Sequence, residues 1–368
     1  MRVLIIGFVL LVIIIISKSM VNFGVDRGVM NKFLNPPFSY FGGKRRVADI
    51  IWKAIGDVDV YIEPFFGGGA VLFARPNYIP SRHKEIVCDK DGFVANFWRA
   101  LKYSPNEVAK YVDYPCNHID LIAIKRYLLD NKDSLYEKLT NDIEFYDAKL
   151  AGYWAWVFVY SIFPLVRDTN TRPNIMGGTG LCSYPLIEMY DASRDVDDVS
   201  LLDKPYNLTI YRWLRVLSER LRFVIIVCND FSEVLEGHPS VFDGNSIGIF
   251  FDPPYGINDR KDDIYMVDDK DAPKRVKDFC IEFGNNPLYH IVIAGYEEYE
   301  GLLNYGWRVF KWKANGGFSG LSGSSLTRGK VNASRETLYF SPHCRDISLW
   351  LESVSRFNRK MKDKNIVK

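Results

Sequence analysis

Short runs of aliphatic, β-branched and aromatic residues recur along the chain, and most are continuous rather than alternating. They are Val60–Glu63, Glu85–Asp89, Phe223–Cys228, Ile247–Asp252, Tyr289–Ala294, Trp307–Trp312 and Glu336–Ser341. Runs of this length read as seven strands, and continuous apolar character is what parallel strands covered on both faces require. Helical spacing intervenes at Lys44–Ile55, Tyr206–Leu221 and Ala272–Phe283. Strands alternating with helices predict an α/β fold with a doubly wound sheet.

About 130 residues separate the second and third runs, whereas a whole βαβ unit takes about 30. Residues 95–205 therefore read as an inserted, mainly helical domain, with helical patterns at Ile119–Leu129 and Ala148–Val159. The sheet domain is then discontinuous, comprising 31–94 and 206–344, and 345–368 forms a basic tail of seven cations against three anions. At the other end, Val3–Ile16 is an unbroken apolar run of 14 residues. As a helix it would extend about 21 Å, short of a hydrocarbon core of about 30 Å. Membrane contact is not expected, and residues 1–30 read as an apolar leader or a mis-called start, with Met20 and Met30 as alternative starts.

Charge changes the picture little: 47 Lys and Arg against 45 Asp and Glu leave +2, so any nucleic-acid binding must come from locally arranged cations. The Gly/Ser-rich connection Ala314–Arg335 offers three, Arg328, Lys330 and Arg335, and no acidic residue. These are the expected backbone-phosphate contacts. Six cysteines are scattered singly with no Cys-x-x-Cys pair, which predicts a reduced, cytoplasmic protein. Cys116 and His118 meeting His343 and Cys344 is the one arrangement with zinc-type ligands, but its spacing is unsupported and no metal is expected.

The strongest chemical signal is Asp252-Pro253-Pro254-Tyr255, directly after an apolar strand. Two prolines fix φ and leave carbonyls without ladder partners, so a carbonyl and the Asp252 carboxylate can accept both hydrogens of one exocyclic amine. Tyr255 supplies a flat face for the ring that bears it. Upstream, Glu63-Pro64-Phe65-Phe66-Gly67-Gly68-Gly69 follows the first strand, where a doubly wound sheet leaves a ligand crevice. Asp89 and Asp230 end the next two strands; each suits either a ligand hydroxyl or amine, or a helix cap.

Taken in order and spacing, Phe38-Ser39-Tyr40-Phe41-Gly42-Gly43-Lys44, Glu63 through Gly69, and Asp252 through Tyr255 resemble the Dam-type (D12 class) N6-adenine DNA methyltransferases, in a phage-like version. The resemblance spans about Pro36–Cys344. It implies a Rossmann-like sheet of seven strands with the last antiparallel, S-adenosylmethionine as methyl donor, and residues 95–205 as the target-recognition domain. It places Tyr40, Lys44, Glu63, Phe65, Gly67, Gly68, Gly69, Asp89 and Asp230 around the donor, with Asp89 on the ribose and Asp230 on its adenine. Asp252, Pro253, Pro254 and Tyr255 fall on a target adenine flipped from double-stranded DNA. The resemblance also admits a cognate restriction endonuclease as partner. Methylation of cytosine N4 or of RNA adenine obeys the same hydrogen-bond logic, and a catalytically silent DNA-binding module is the alternative from another class.

Overall fold

The computed structural model describes residues 34–38, 40, 43–114, 116–160, 181–182, 206–236, 244–254, 269–312, 335–348 and 350. Its strands are β1 (Val60–Glu63), β2 (Lys84–Asp89), β3 (Cys116–Asn117), β4 (Leu181–Cys182), β5 (Val224–Cys228), β6 (Ile247–Phe251), β7 (Tyr289–Gly295), β8 (Arg308–Lys311) and β9 (Thr337–Phe340). Its α-helices are α1 (Ala48–Ile55), α2 (Gly92–Tyr103), α3 (Pro105–Val112), α4 (His118–Asn141), α5 (Ala148–Tyr160), α6 (Tyr206–Leu221), α7 (Phe231–Glu236) and α8 (Ala272–Phe283).

The seven expected strands all form and join one sheet in the order β5-β2-β1-β6-β7-β9-β8. Neighbours pair in parallel from β5 to β7. β9 alone runs the other way, antiparallel to both β7 and β8. The expectation of a seven-stranded sheet with an antiparallel last strand is met.

Both faces of the sheet are covered. Tyr61, Val87, Phe250, Val292 and Leu338 point into one apolar cluster, shared with α1, α2 and α6. Their alternating neighbours Ile62, Ile86, Ile249, Phe251 and Ile293 point into a second, with α8. This explains why the strand sequences do not alternate.

The expected helix Lys44–Ile55 is a 3-10 turn over Arg45–Val47 followed by α1, which stops where Gly56 takes φ +82°. The expected boundary between residues 94 and 95 falls inside α2, a continuous helix in which Gly92 through Leu101 are all buried. Arg99 on α2 donates to the carbonyls of Ile226 (3.1 Å), Leu139 and Asp142 (both 3.0 Å), so this helix ties the sheet to the end of α4. Buried Glu85 on β2 is shared by two guanidinium groups, Arg75 at 3.1 Å and Arg220 at 2.6 Å, which offsets the cost of burying its charge. Residues 116–117 and 181–182 form a separate antiparallel ribbon within the inserted segment.

Candidate active site

From β1 the chain builds outward through β2 and β5, then returns to place β6 and β7 on the other side of β1. The connections leaving β1 and β6 therefore diverge at the carboxyl ends of two adjacent parallel strands, the position where open α/β sheets form a ligand crevice. Pro64–Gly69 and Asp252–Pro254 are those two connections.

The glycine loop is held at several points. The Phe66 amide donates to the Cys88 carbonyl (2.9 Å), the Trp98 indole donates to the Gly67 carbonyl (2.8 Å), and the Gly67 amide donates to Asp89 Oδ2 (2.9 Å). Gly67 and Gly69 adopt φ of +46° and +70°, which favours glycine. A Cβ at Gly67 would lie 2.8 Å from the Tyr40 ring, and one at Gly68 would lie 2.7 Å from Tyr40 Cβ. Here the glycines make room for Tyr40. The opposite neighbour of that ring is Phe158 on α5, stacked at 5.2 Å between centroids and 7° between planes. Tyr40 thus sits between the loop and the inserted segment.

Four carboxylates end strands at this edge, and each has a different environment. Asp252 is gripped by Lys44, whose Nζ lies 2.9 Å from Oδ1 and 3.0 Å from Oδ2. Lys44 is only 3% exposed, so its ammonium is held against the carboxylate with little access to water. Glu63 is buried, and desolvation pushes its carboxyl well above the ordinary range. The Tyr61 hydroxyl (3.0 Å) and the Leu72 amide (3.1 Å) donate to its Oε2 and pull the other way. The nearby Asp252 charge raises it further.

Asp89 takes the Gly67 amide on one oxygen and the Asp91 amide (2.9 Å) on the other. Desolvation, reinforced by the Asp91 charge, lifts its pKa to about 7. The helix cap proper is Asp91, which accepts from Phe93 N–H at the start of α2. Asp230 does cap α7, accepting from the Ser232 amide (3.1 Å) and hydroxyl (2.8 Å) on Oδ1. Arg275 on α8 adds a bidentate pair at 2.7 and 2.9 Å, and Lys90 reaches Oδ2 at 3.0 Å. These hydrogen bonds, Arg275 first, hold the Asp230 carboxyl far below the usual range.

The family model for D12 class N6 adenine-specific DNA methyltransferases matches residues 40–286. The chain belongs to this family. No curated protein matches the chain. As a member of the D12 class, the protein is an adenine-specific DNA methyltransferase, and its family implies S-adenosylmethionine as donor and DNA as substrate.

Of the residues singled out in sequence, this methyltransferase brings Tyr40, Lys44, Glu63, Phe65, Gly67, Gly68, Gly69, Asp89, Asp230, Asp252, Pro253 and Pro254 to the carboxyl edge of the sheet. Tyr255, Arg328 and Lys330 lie outside the described residues, as do residues 1–33 and the tail from 351. Arg335 lies at the carboxyl edge too, since β9 begins opposite the carboxyl end of β7; its guanidinium is paired with Glu297 (Nε to Oε2, 3.0 Å) and placed over the Tyr296 ring at 4.6 Å. Among the described residues no group of three His, Cys, Asp or Glu could hold a metal ion, and no helix is long and apolar enough to cross a membrane. Cys344 is buried, its thiol 3.3 Å from the Ile291 carbonyl.

Lys90, Phe158, Asp269 and Arg275 complete the site, and sequence reading missed all four. Lys90 had a local signal, since it follows Asp89 directly. Arg275 had none, because its partner lies 45 positions away.

Proposed function

We propose that the enzyme methylates N6 of an adenine flipped out of duplex DNA, with the donor held over the Pro64–Gly69 loop and the base held at Asp252. The observation that carries this reading is the Asp252 carboxylate at the switch point of the sheet, fixed through both oxygens by the buried Lys44 ammonium. A base inside the stack cannot reach such a crevice, and unstacking costs a few kcal/mol.

The acceptor set suits the donor. S-adenosylmethionine presents ribose hydroxyls, an ammonium and an adenine amine, all hydrogen-bond donors, and this edge of the sheet carries Glu63, Asp89 and Asp230. Asp89, partly exposed at the end of β2, takes the ribose hydroxyls. Tyr40 and Lys44 border the donor from the side of the inserted segment. When bound, the sulfonium supplies an electrophilic methyl group and leaves as a thioether. Asp252 and the Pro253 carbonyl accept hydrogen bonds from the two N6 hydrogens, which draws the nitrogen out of conjugation and frees its lone pair for in-line attack; the methylated nitrogen then sheds one of these protons along its hydrogen bond to the Asp252 carboxylate, which passes it to solvent. Tyr255, next in the chain, supplies the stacking face. The protein contributes position and electrostatics, without a covalent enzyme intermediate. Residues 95–205 read the target sequence, and Arg328, Lys330 and Arg335 contact phosphates without reading bases.

Asp252→Ala tests the reading. Methyl transfer to a DNA fragment that the wild-type enzyme modifies should vanish while calorimetric donor affinity stays within a few-fold. Turnover at the wild-type rate in the folded variant would remove Asp252 from the mechanism.

A further inference from the structure

Asp230 already accepts five donors from its own chain: the Ser232 amide and hydroxyl and Arg275 Nη1 on Oδ1, and Lys90 and Arg275 Nη2 on Oδ2. A carboxylate offers about four lone-pair sites, so its acceptor capacity is filled. An amine arriving from a ligand must displace one of these donors. Arg275 is anchored a second time by Asp269, 2.5 Å away, which also accepts from Lys90 at 3.1 Å. The two cations and two carboxylates therefore form one closed ionic cluster between the end of β5 and the start of α8.

The cluster connects to the target side through aromatic packing. The Arg275 guanidinium lies 4.7 Å from the Phe231 ring centre. Phe231 packs edge-on against Phe251 at 6.1 Å, and Phe279 on α8 packs against Phe251 at 5.7 Å. Phe65 of the glycine-loop segment touches both Phe231 (5.2 Å) and Phe251 (6.4 Å). Phe251 immediately precedes Asp252. One continuous set of packed groups thus runs from the acceptor at Asp230 to the residue before the base-holding carboxylate.

We infer that Arg275 is a positioning residue that couples donor binding at Asp230 to the placement of Asp252, because the same guanidinium occupies the donor's acceptor and braces the aromatic cluster beneath the target-base site. The inference rests on the reading above in which Asp230 receives the donor's adenine. A donor that takes over acceptor sites on Asp230 reorganises the Arg275 contact, and by reciprocity DNA binding that shifts the Phe251–Asp252 segment alters donor affinity by the same factor. Arg275 also competes with the donor, so its removal leaves donor affinity intact or improves it while the link to the target is lost.

The test measures S-adenosylhomocysteine affinity by calorimetry, with and without a saturating DNA fragment that the wild-type enzyme methylates. The wild-type factor between the two affinities should be about fivefold or more, the lower end for coupled sites. In Arg275→Gln, affinity without DNA should not weaken by more than about twofold, the factor should fall toward one, kcat on DNA should drop by about tenfold, and Arg275→Lys should recover part of the coupling. Weakened donor binding with the wild-type factor retained, or a wild-type factor near one, overturns the inference. Asp269→Asn, which removes one of the two anchors of Arg275, should shift the same quantities in the same direction and serves if Arg275→Gln does not fold. Asp230→Asn separates the two levels: unchanged donor affinity there would refute the role of Asp230 itself, whatever Arg275 does.

Discussion

Gly67→Ala and Gly68→Ala look like equivalent changes one residue apart, yet the structure assigns them different costs and different remedies. At Gly67 the added Cβ carries two penalties. The backbone is left-handed at φ +46°, which costs an L-residue about 1–2 kcal/mol, and the Cβ lies 2.8 Å from Tyr40 Cε1, an overlap of the kind that costs about 1–3 kcal/mol. The sum is about 2–5 kcal/mol. At Gly68 only the overlap applies, and the atom it meets is Tyr40 Cβ at 2.7 Å. Tyr40→Ala deletes the ring and keeps that Cβ. It should therefore relieve Gly67→Ala by about 1–3 kcal/mol, leaving the backbone strain, and should relieve Gly68→Ala hardly at all. Urea denaturation of the two double-mutant cycles measures both couplings directly. Equal couplings at the two glycines, or none at Gly67, would show that Tyr40 does not lie over the loop as described.

Two further outcomes follow from the desolvated acids. Asp89 has its pKa raised to about 7 by desolvation, so below that pH it is protonated and a poorer acceptor; donor affinity should strengthen from pH 6 to pH 8, and Asp89→Asn should abolish that dependence, which a pH series of calorimetric titrations would show. Burial pushes the Glu63 carboxyl well above its ordinary range, so between the unfolded and folded pKa the native state binds more protons and stability falls as pH rises. Glu63→Gln removes this term while keeping an acceptor for Tyr61 and Leu72, and its melting temperature should gain on the wild type as pH increases from 5 to 8; a constant difference would mean that Glu63 is ionised.

The strands were legible because each is short, apolar on both faces and bounded by polar turns, so β1, β5, β6 and β7 form within a residue of the expected limits. α6 and α8 were equally plain, each carrying an apolar stripe on a charged background. The edge of the inserted segment was not, because α2 runs through residue 95 with no Gly or Pro between Phe93 and Tyr103 to break it, its Asn96, Arg99 and Lys102 recurring at helical spacing among apolar neighbours. At the site, Lys44 and Asp252 were both recognisable from their motifs, but the contact between them spans 208 positions and belongs to the packing of the sheet. The same holds for Arg75, Glu85 and Arg220, which the fold brings together as a buried cluster.

The placement of β9 between β7 and β8 has a consequence for biosynthesis. β8 has β9 as its partner in the sheet, and β9 is the last strand of the sheet to leave the ribosome. Until residues 337–340 emerge, β7 is an open edge and β8 has no ladder to join. An exposed strand edge is an invitation to pair with another chain, so nascent chains that stall between β7 and β9 carry that liability at β7. Completion of the methyltransferase sheet is therefore a late event, set by the last tenth of the chain rather than by the donor-loop and base-site strands made long before it.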